Sequence, residues 1–360
     1  LTTTPLHAIE AFYTGIEYSV IEKSTTQIIL KGPENIRLCF YHTSVDNWAK
    51  QLFITTASPE FLDYWNKTFP AWVDSNYADE AAIFDAASIG YIEPALRETA
   101  AIIDRAKADS LPQLIQPHDI RGIIHSHSKW SDGVHSIKEM ADAAVAAGLE
   151  YLVISDHSKT AAYANGLQIE RVLAQHEEIE HLNKQYTDFR IFKSIESDIL
   201  GDGSLDYPAE ILAQFDLVIA SVHSNLKMTE EKAMQRLLAA IENPYTNILG
   251  HMTGRLLLSR NGYPVDHHKI IDACAANQVV IELNAHPRRL DIDWRWIDYA
   301  LSKNVLISID PDAHAIEGYA DCKYGVLVAQ KAGLSKAQNL SSFTLDAFTA
   351  FIEQQNKKRP

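Results

Sequence analysis

Cysteine is scarce in this 360-residue chain, and the three present (Cys39, Cys274, Cys322) are odd in number, far apart and not paired at CxxC spacing. That excludes a disulfide framework, and each reads as a small apolar core residue in a reducing compartment. Long apolar runs are missing as well. None approaches the roughly 18 residues of a membrane span, and no basic-then-apolar leader opens the chain. The expectation is a cytoplasmic protein that does not enter membranes. A start at Leu1 rather than Met reads as a processed, tagged or excised piece. Positive charge is short too, with 32 Lys and Arg against 47 Asp and Glu, a formal net charge of −15. Such a balance excludes broad, sequence-independent clamping of duplex DNA, which needs a basic footprint. It does not exclude a small anion site, because divalent ions held in one pocket would reverse the sign locally.

What remains is an ordinary globular composition, 46% apolar and 22% charged, long enough for about two domains. Six histidines and three carboxylates stand at or just past apolar runs that read as β-strands. The densest group is Ile123-Ile124-His125-Ser126-His127-Ser128-Lys129-Trp130-Ser131-Asp132-Gly133. His157, Glu196, His223 and His251 each follow a further run, and Asp312 and His314 follow the last. Imidazole and carboxylate suit Zn²⁺ and Mn²⁺, and the carboxyl ends of strands are where α/β enzymes present their chemistry. Alternation along a strand would put His125 and His127 on one face. The other nine histidines, among them His176 and His286, lack this placement and read as surface or core side chains.

From about residue 120 the chain alternates strand-like and helix-like segments. Seven β-branched runs begin near Ile123, Leu152, Ile191, Leu217, Asn247, Val279 and Val305, a spacing that suits one βα unit each. Ser136-Ile-Lys-Glu139 is a capping box opening a helix that stops at Gly148. Helices are also expected over 229–242, 266–276 and 294–302. Continuously apolar strands imply a parallel sheet buried on both faces. Seven units in sequence predict a closed or nearly closed barrel, with an open doubly wound sheet as the alternative. Residues 1–115 differ. They predict a small α+β segment, with strands over 27–30 and 36–41 and helices over 45–55, 59–68, 79–87 and 94–106. A Pro-punctuated connection, Leu111 to Ile120, leads into the barrel.

These motifs carry a resemblance. His125-Ser-His127 with Ser131-Asp132-Gly133, Asp156-His157-Ser158, Glu196-Ser-Asp198, Val222-His223-Ser224, Gly250-His251, Glu282-Leu-Asn284 and Asp312-Ala-His314 are similar to the PHP (polymerase and histidinol phosphatase) superfamily. More narrowly they resemble the C-terminal PHP domain of bacterial family X DNA polymerases. The resemblance implies a distorted (βα)₇ TIM-like barrel over 116–360 holding up to three divalent ions, Mn²⁺ or Zn²⁺. It implies that His125, His127, Glu196 and Asp312 hold one ion. Glu196 would bridge to a second with His223 and His251, and Asp132, His157 and His314 would hold a third. Glu196, His223 and Asp312 carry the catalytic expectation. Residues 1–115 resemble part of a family X palm and thumb. The paired aspartates of that palm are not found, and Asn35-Ile36-Arg37 stands where its third aspartate would be. A neutral amide cannot supply the charge of a two-metal phosphoryl-transfer site, so polymerase activity is not expected of this chain.

The implied activity is metal-dependent phosphoester hydrolysis, as a 3′–5′ exonuclease or 3′-end-processing enzyme on single-stranded or gapped DNA in repair. A small-molecule phosphatase of the histidinol-phosphatase type and a non-catalytic scaffold are the alternatives. Asp156 and Asp198 adjoin ligands and are candidates to orient imidazoles. Lys159, Arg255 and Arg288, with Arg289, fall in loops after strands and are candidate phosphate contacts. Trp130 is either a stacking platform for a base or sugar or a packed loop aromatic.

Overall fold

Two sheets organise the chain. The computed structural model describes residues 1–360, apart from the side chain of Glu34. They divide into two compact units, Leu1–Leu111 and Pro112–Pro360.

In the first unit β1 (Ser19–Lys23), β2 (Gln27–Lys31) and β3 (Arg37–Tyr41) form an antiparallel meander in the order β1-β2-β3. Helix Leu6–Thr14 packs Leu6 and Ile9 against Ile28 and Leu30 of β2. A separate aromatic nucleus forms where helices Trp48–Thr55 and Pro59–Thr68 bring Phe53, Phe61 and Trp65 together with Phe84. Arg97 lies fully buried beside it, with Glu80 as partner and its guanidinium over the Phe53 and Phe84 rings. Cys274 and Cys322 are buried as their composition suggests, whereas Cys39 is exposed. Strand β3 turns that position outward, so the expectation of a core residue there is corrected.

The second unit contains β4 (Gly122–Ser126), β5 (Tyr151–Ile154), β6 (Arg190–Asp198), β7 (Leu217–Ser221), β8 (Ile248–Leu249), β9 (Val280–Asn284) and β10 (Ile307–Asp310). All six pairings are parallel and neighbours in the sheet are neighbours in sequence. Helices Ile137–Ala146, Ile169–Asn183, Glu230–Ile241 and His267–Asn277 lie in the crossovers, and Cys322–Lys331 follows the last strand. The first opens with the reciprocal capping box of Ser136 and Glu139. The sheet curls until its edges meet: His127 N donates to Ala313 O at 2.8 Å and Ala313 N to His125 O at 3.2 Å. This is a nearly closed barrel rather than an open doubly wound sheet.

Two apolar layers hold it. Outward side chains such as Leu152, Ile195, Val218, Leu249, Ile281 and Ile309 join the large core under the helices. Inward ones, Ile124, Tyr151, Val153, Phe192, Leu217, Ile219, Ile248 and Val280, fill one end of the barrel with Phe348 of helix Leu345–Asn356. The Phe348 ring stacks on Tyr151 at 4.3 Å between centroids. No helix is long and apolar enough to cross a membrane.

Candidate metal centre

The same inward positions change character towards the carboxyl ends of the strands. On β6 the inner face runs Phe192, Ser194, Glu196, Asp198; on β7 it runs Leu217, Ile219, Ser221 and then His223; on β9 it runs Val280, Glu282, Asn284. Period two therefore turns an apolar plug into a polar cup on one continuous wall. Gly250 makes room under it, since a Cβ there would meet Ser221 Oγ at 2.3 Å and Glu282 Oε2 at 3.0 Å. Simple alternation does not deliver His125. Its backbone is left-handed (φ 60°), the β4–β5 register shifts between Ile123 and Ser126, and Asp312 across the seam is left-handed too (φ 52°). This irregularity, rather than simple alternation, brings the rings of His125 and His127 to 5.3 Å.

Glu196 is the hub. Its Oε1 lies 2.9 Å from His251 Nε2, 3.1 Å from His223 Nε2 and 3.2 Å from His125 Nε2, and its Oε2 lies 3.0 Å from His157 Nδ1. His127 Nε2 is 3.1 Å from Asp312 Oδ1. Near the rim, Asp132 Oδ2 is 3.4 Å from His314 Nε2 and 3.7 Å from His157 Nε2. All nine residues that the resemblance nominates thus come together. Their grouping differs in detail: His251 falls with His125 and Glu196, His223 with His157 and Glu196, and His127 with Asp132, His157 and His314 as well as with His125 and Asp312.

Charge is sorted within the cluster. Burial opposes ionisation of His125, but Glu282, Glu196 and Asp312 outweigh it and raise its pKa well above the ordinary value. Burial is likewise overcome at His223, which Glu196 and Asp198 push up to about 10. Burial wins at His127, with His157 beside it, and takes its pKa down to about 3; at His251, burial and then Arg289 take it to about 4. Burial would raise Glu196, yet His223, His125 and His157 hold its carboxyl well below the usual range. Asp312 is held down against burial by His125 and His127.

A second ring of polar groups orients these side chains. His125 Nδ1 is 2.7 Å from Glu282 Oε1, and Glu282 Oε2 accepts from His251 N at 2.6 Å. Asp198 pairs with His223 Nδ1 and accepts from Thr160 Oγ1 at 2.7 Å. Asp156 accepts from Ser128 N at 2.7 Å, Ser128 Oγ at 2.6 Å and Gln175 Nε2 at 2.6 Å, and so ties the loop after β4 to the barrel. Asn284 Nδ2 donates to Asp312 Oδ2 at 3.1 Å. Glu282 and Asn284 were visible only as motif residues; the inward phase of β9 gives them their task.

The donor set fits divalent metal. His127 Nδ1 and His251 Nδ1 are buried without a hydrogen-bond partner, and His125 Nε2, His157 Nδ1 and Glu196 Oε2, though 3.0 to 3.2 Å from an ionic neighbour, make no aligned hydrogen bond, which is costly unless something else satisfies them. An imidazole and carboxylate cluster of this kind is what Zn²⁺ or Mn²⁺ would satisfy.

The basic candidates separate. Lys159 is half-buried with its ammonium 5.7 Å over the Tyr207 ring. Arg255 is engaged by the loop after β9, donating to Arg289 O at 2.9 Å, to Leu290 O, and to Asp293 Oδ2 at 2.9 Å. Arg288 is exposed. Arg289 reaches the cluster, with Nε 3.5 Å from Asp312 Oδ2. Trp130 donates from Nε1 to Glu178 Oε2 at 2.7 Å, and Arg171 covers its ring at 5.8 Å, a packed loop aromatic.

Residues 124–286 match the PHP domain family. The chain is 38% identical to the DNA polymerase/3′-5′ exonuclease PolX of Bacillus subtilis over 288 residues, covering 80% of this chain and 49% of that protein. It is 30% identical over 169 residues to a probable phosphatase of Acetivibrio thermocellus, covering 45% of this chain and 64% of the other. The chain therefore spans about half the length of the first relative and under two thirds of the second. A crystal structure of histidinol phosphate phosphatase from Lactococcus lactis, complexed with zinc, L-histidinol and phosphate, superposes with a TM-score of 0.45 at 19% identity, covering 60% of this chain and 95% of that one.

Proposed function

We propose, from the premise that residues 124–286 are a PHP domain, that this chain is a metal-dependent phosphoesterase acting on the 3′ end of DNA. The observation that carries it is the hub geometry: one buried carboxylate, Glu196, within 3.2 Å of four imidazoles, in a cluster where five buried donor atoms make no aligned hydrogen bond. His125, His127, Asp132, His157, Glu196, His223, His251, Asp312 and His314 would hold the ions. Divalent ions at such a site make water nucleophilic near neutral pH and offset charge on a phosphoryl group.

The chain's own residues supply the rest. Glu282 fixes the His125 ring through Nδ1 and Asp198 fixes the His223 ring through Nδ1, so that both Nε2 atoms face Glu196. Arg289 brings a guanidinium to the edge of the cup, where a phosphate oxygen can meet it. In the proposed reaction water adds to phosphorus, the bond to the penultimate 3′ oxygen breaks, and that oxygen leaves with a proton. The products are a nucleoside 5′-monophosphate and a strand shortened by one.

DNA is favoured over a metabolite by the extent of the polymerase-type match, which spans more residues than the second unit contains and so reaches into the first. The phosphatase match covers under half of the chain. We read residues 1–115 as a partial family X palm and thumb that positions nucleic acid without extending it, and the protein as cytoplasmic. The deciding experiment digests a 5′-labelled oligonucleotide and histidinol phosphate side by side after metal loading. Stepwise shortening of the DNA supports the proposal; release of phosphate from histidinol phosphate alone supports the phosphatase reading.

A further inference from the structure

We infer that Tyr163 is the platform on which the base of the terminal nucleotide stacks while its phosphate lies in the metal cup. This deepens the proposed function and rests on it.

Tyr163 stands in a short 3-10 turn, Ala162–Ala164, in the loop after β5. Tyr163 is 71% exposed, while Ala161 and Ala164 at the ends of the turn are buried. The turn is fastened at every other point. Thr160 N donates to Asp206 at 2.7 Å, Asn165 Nδ2 reaches Trp130 O and Ser131 O at 3.3 Å, and Arg171 Nη1 holds Asn165 O at 2.8 Å. Gly166 lets the chain return so closely that a Cβ would meet Ser158 O at 1.9 Å. A rigid turn therefore displays one large aromatic to solvent.

That display is aimed at the site. The Tyr163 ring lies 6.0 Å from the His157 ring, edge-on at 60°, and its hydroxyl makes no hydrogen bond among the described residues. An exposed aromatic that the fold holds rigid but does not pack adds little to stability. Beside a phosphate-binding cup, the partner it fits is the π-face of a nucleobase, which aromatic side chains take without regard to sequence. Trp130, the other aromatic by the metal loop, is unavailable because Arg171 and Glu178 already engage it.

The test uses the metal-loaded full chain with two oligonucleotides, one ending in 2-aminopurine and one in an abasic nucleotide. Stacking on Tyr163 quenches 2-aminopurine fluorescence on binding, and Tyr163→Ala abolishes the quench while Tyr163→Trp restores it. In turnover, Tyr163→Ala raises KM for the base-bearing end by roughly 10-fold, the worth of one base–aromatic stack. It changes KM for the abasic end far less, and metal content per chain stays at the parental level. Equal fluorescence in parent and Tyr163→Ala, or the same KM ratio for the two ends, overturns the proposal. So does a loss of metal from the Ala variant, which would make Tyr163 a support for His157. A parent that leaves both oligonucleotides intact overturns the functional reading beneath it, and the two failures are told apart by the parent alone.

Discussion

Glu282 Oε1 lies 2.7 Å from His125 Nδ1, while its second oxygen accepts from the backbone of His251 at 2.6 Å, so one carboxylate of β9 sets two histidines of the cup. Both contacts are fully buried, and burial raises the pKa of this carboxyl although His125 pulls the other way. Glu282→Gln keeps the shape but removes the charge that orients the imidazole. Metal affinity or hydrolysis should fall about 10- to 100-fold, as for other residues that support a metal ligand. The check is metal titration followed by hydrolysis of a labelled oligonucleotide. Parental affinity in the variant would reduce Glu282 to a packing residue.

Glu196→Gln should be worse. This carboxylate faces His125, His157, His223 and His251 at 3.2, 3.0, 3.1 and 2.9 Å, so its loss weakens more than one ion position at once. Elemental analysis of the dialysed variant should show a drop of more than one equivalent and activity below that of Glu282→Gln. A variant that loses no metal would remove Glu196 from the centre of the site.

Much of this was legible from sequence because of burial. Strands covered on both faces are continuous β-branched runs, and Ile123, Leu152, Ile191 and Leu217 each fall within a residue of where their strands begin. Strand β1 (Ser19–Lys23) is exposed throughout and offers no such signal. Helix Ile169–Asn183 carries Glu and His on several sides, which blurs its apolar stripe, and no helix was expected there. At the site, histidines at strand ends announce themselves. Glu282 does not, because a carboxylate inside an apolar strand gains meaning only once Val280 and Asn284 are known to point inward. Arg255 and Arg289 look alike in sequence, and only the contacts of the loop after β9 show which one the fold has already used.

Asn35 bears on the first unit. It stands at φ 63° at the end of the turn Pro33–Asn35, just before β3. A carboxamide there supplies no negative charge for a metal-bound nucleotide. A primed template with all four dNTPs and Mn²⁺ or Mg²⁺ should show no extension by this chain. Sustained dNTP-dependent extension by homogeneous protein would show this reading of Asn35 to be mistaken.

His176 gives a pH prediction outside the metal site. Its ring stands edge-on to Phe215 at 4.8 Å, Nε2 is buried without a partner, and burial followed by the nearby charge of Lys193, against Glu180, lowers its pKa from 6.5 to about 4. Between those values the unfolded chain binds a proton that the fold refuses, so this stability is full above about pH 6.5 and is lost as pH falls towards 4. His176→Leu keeps an apolar side chain in place and removes the proton. Its urea-unfolding free energy should fall less steeply than the parent's between pH 6.5 and 4, by up to one proton's worth of slope. Parallel curves would mean that another group carries the acid sensitivity.

The last prediction separates Arg289 from Arg255. With a net charge of −15, DNA binding depends on the metal cup and a few cations, so few phosphates are contacted and salt dependence is shallow. Each contact on a single strand adds a slope of about −0.7 in log affinity against log salt, and two to four contacts give roughly −1.5 to −3. Arg289 Nε lies 3.5 Å from Asp312 and faces the cup, so Arg289→Ala should flatten the slope by about one contact. The Arg255 guanidinium is bonded to Arg289 O, Leu290 O and Asp293. Arg255→Ala should instead lower unfolding stability by about 2 kcal/mol, the scale of a lost charge-assisted hydrogen bond, through loosening of the loop after β9. Fluorescence anisotropy of a labelled oligonucleotide across a salt series, beside urea unfolding of both variants, makes the comparison. A flattened slope in Arg255→Ala with Arg289→Ala at the parental value would reverse the assignment, and a parental slope near −8 would place the binding on a basic groove elsewhere on the fold.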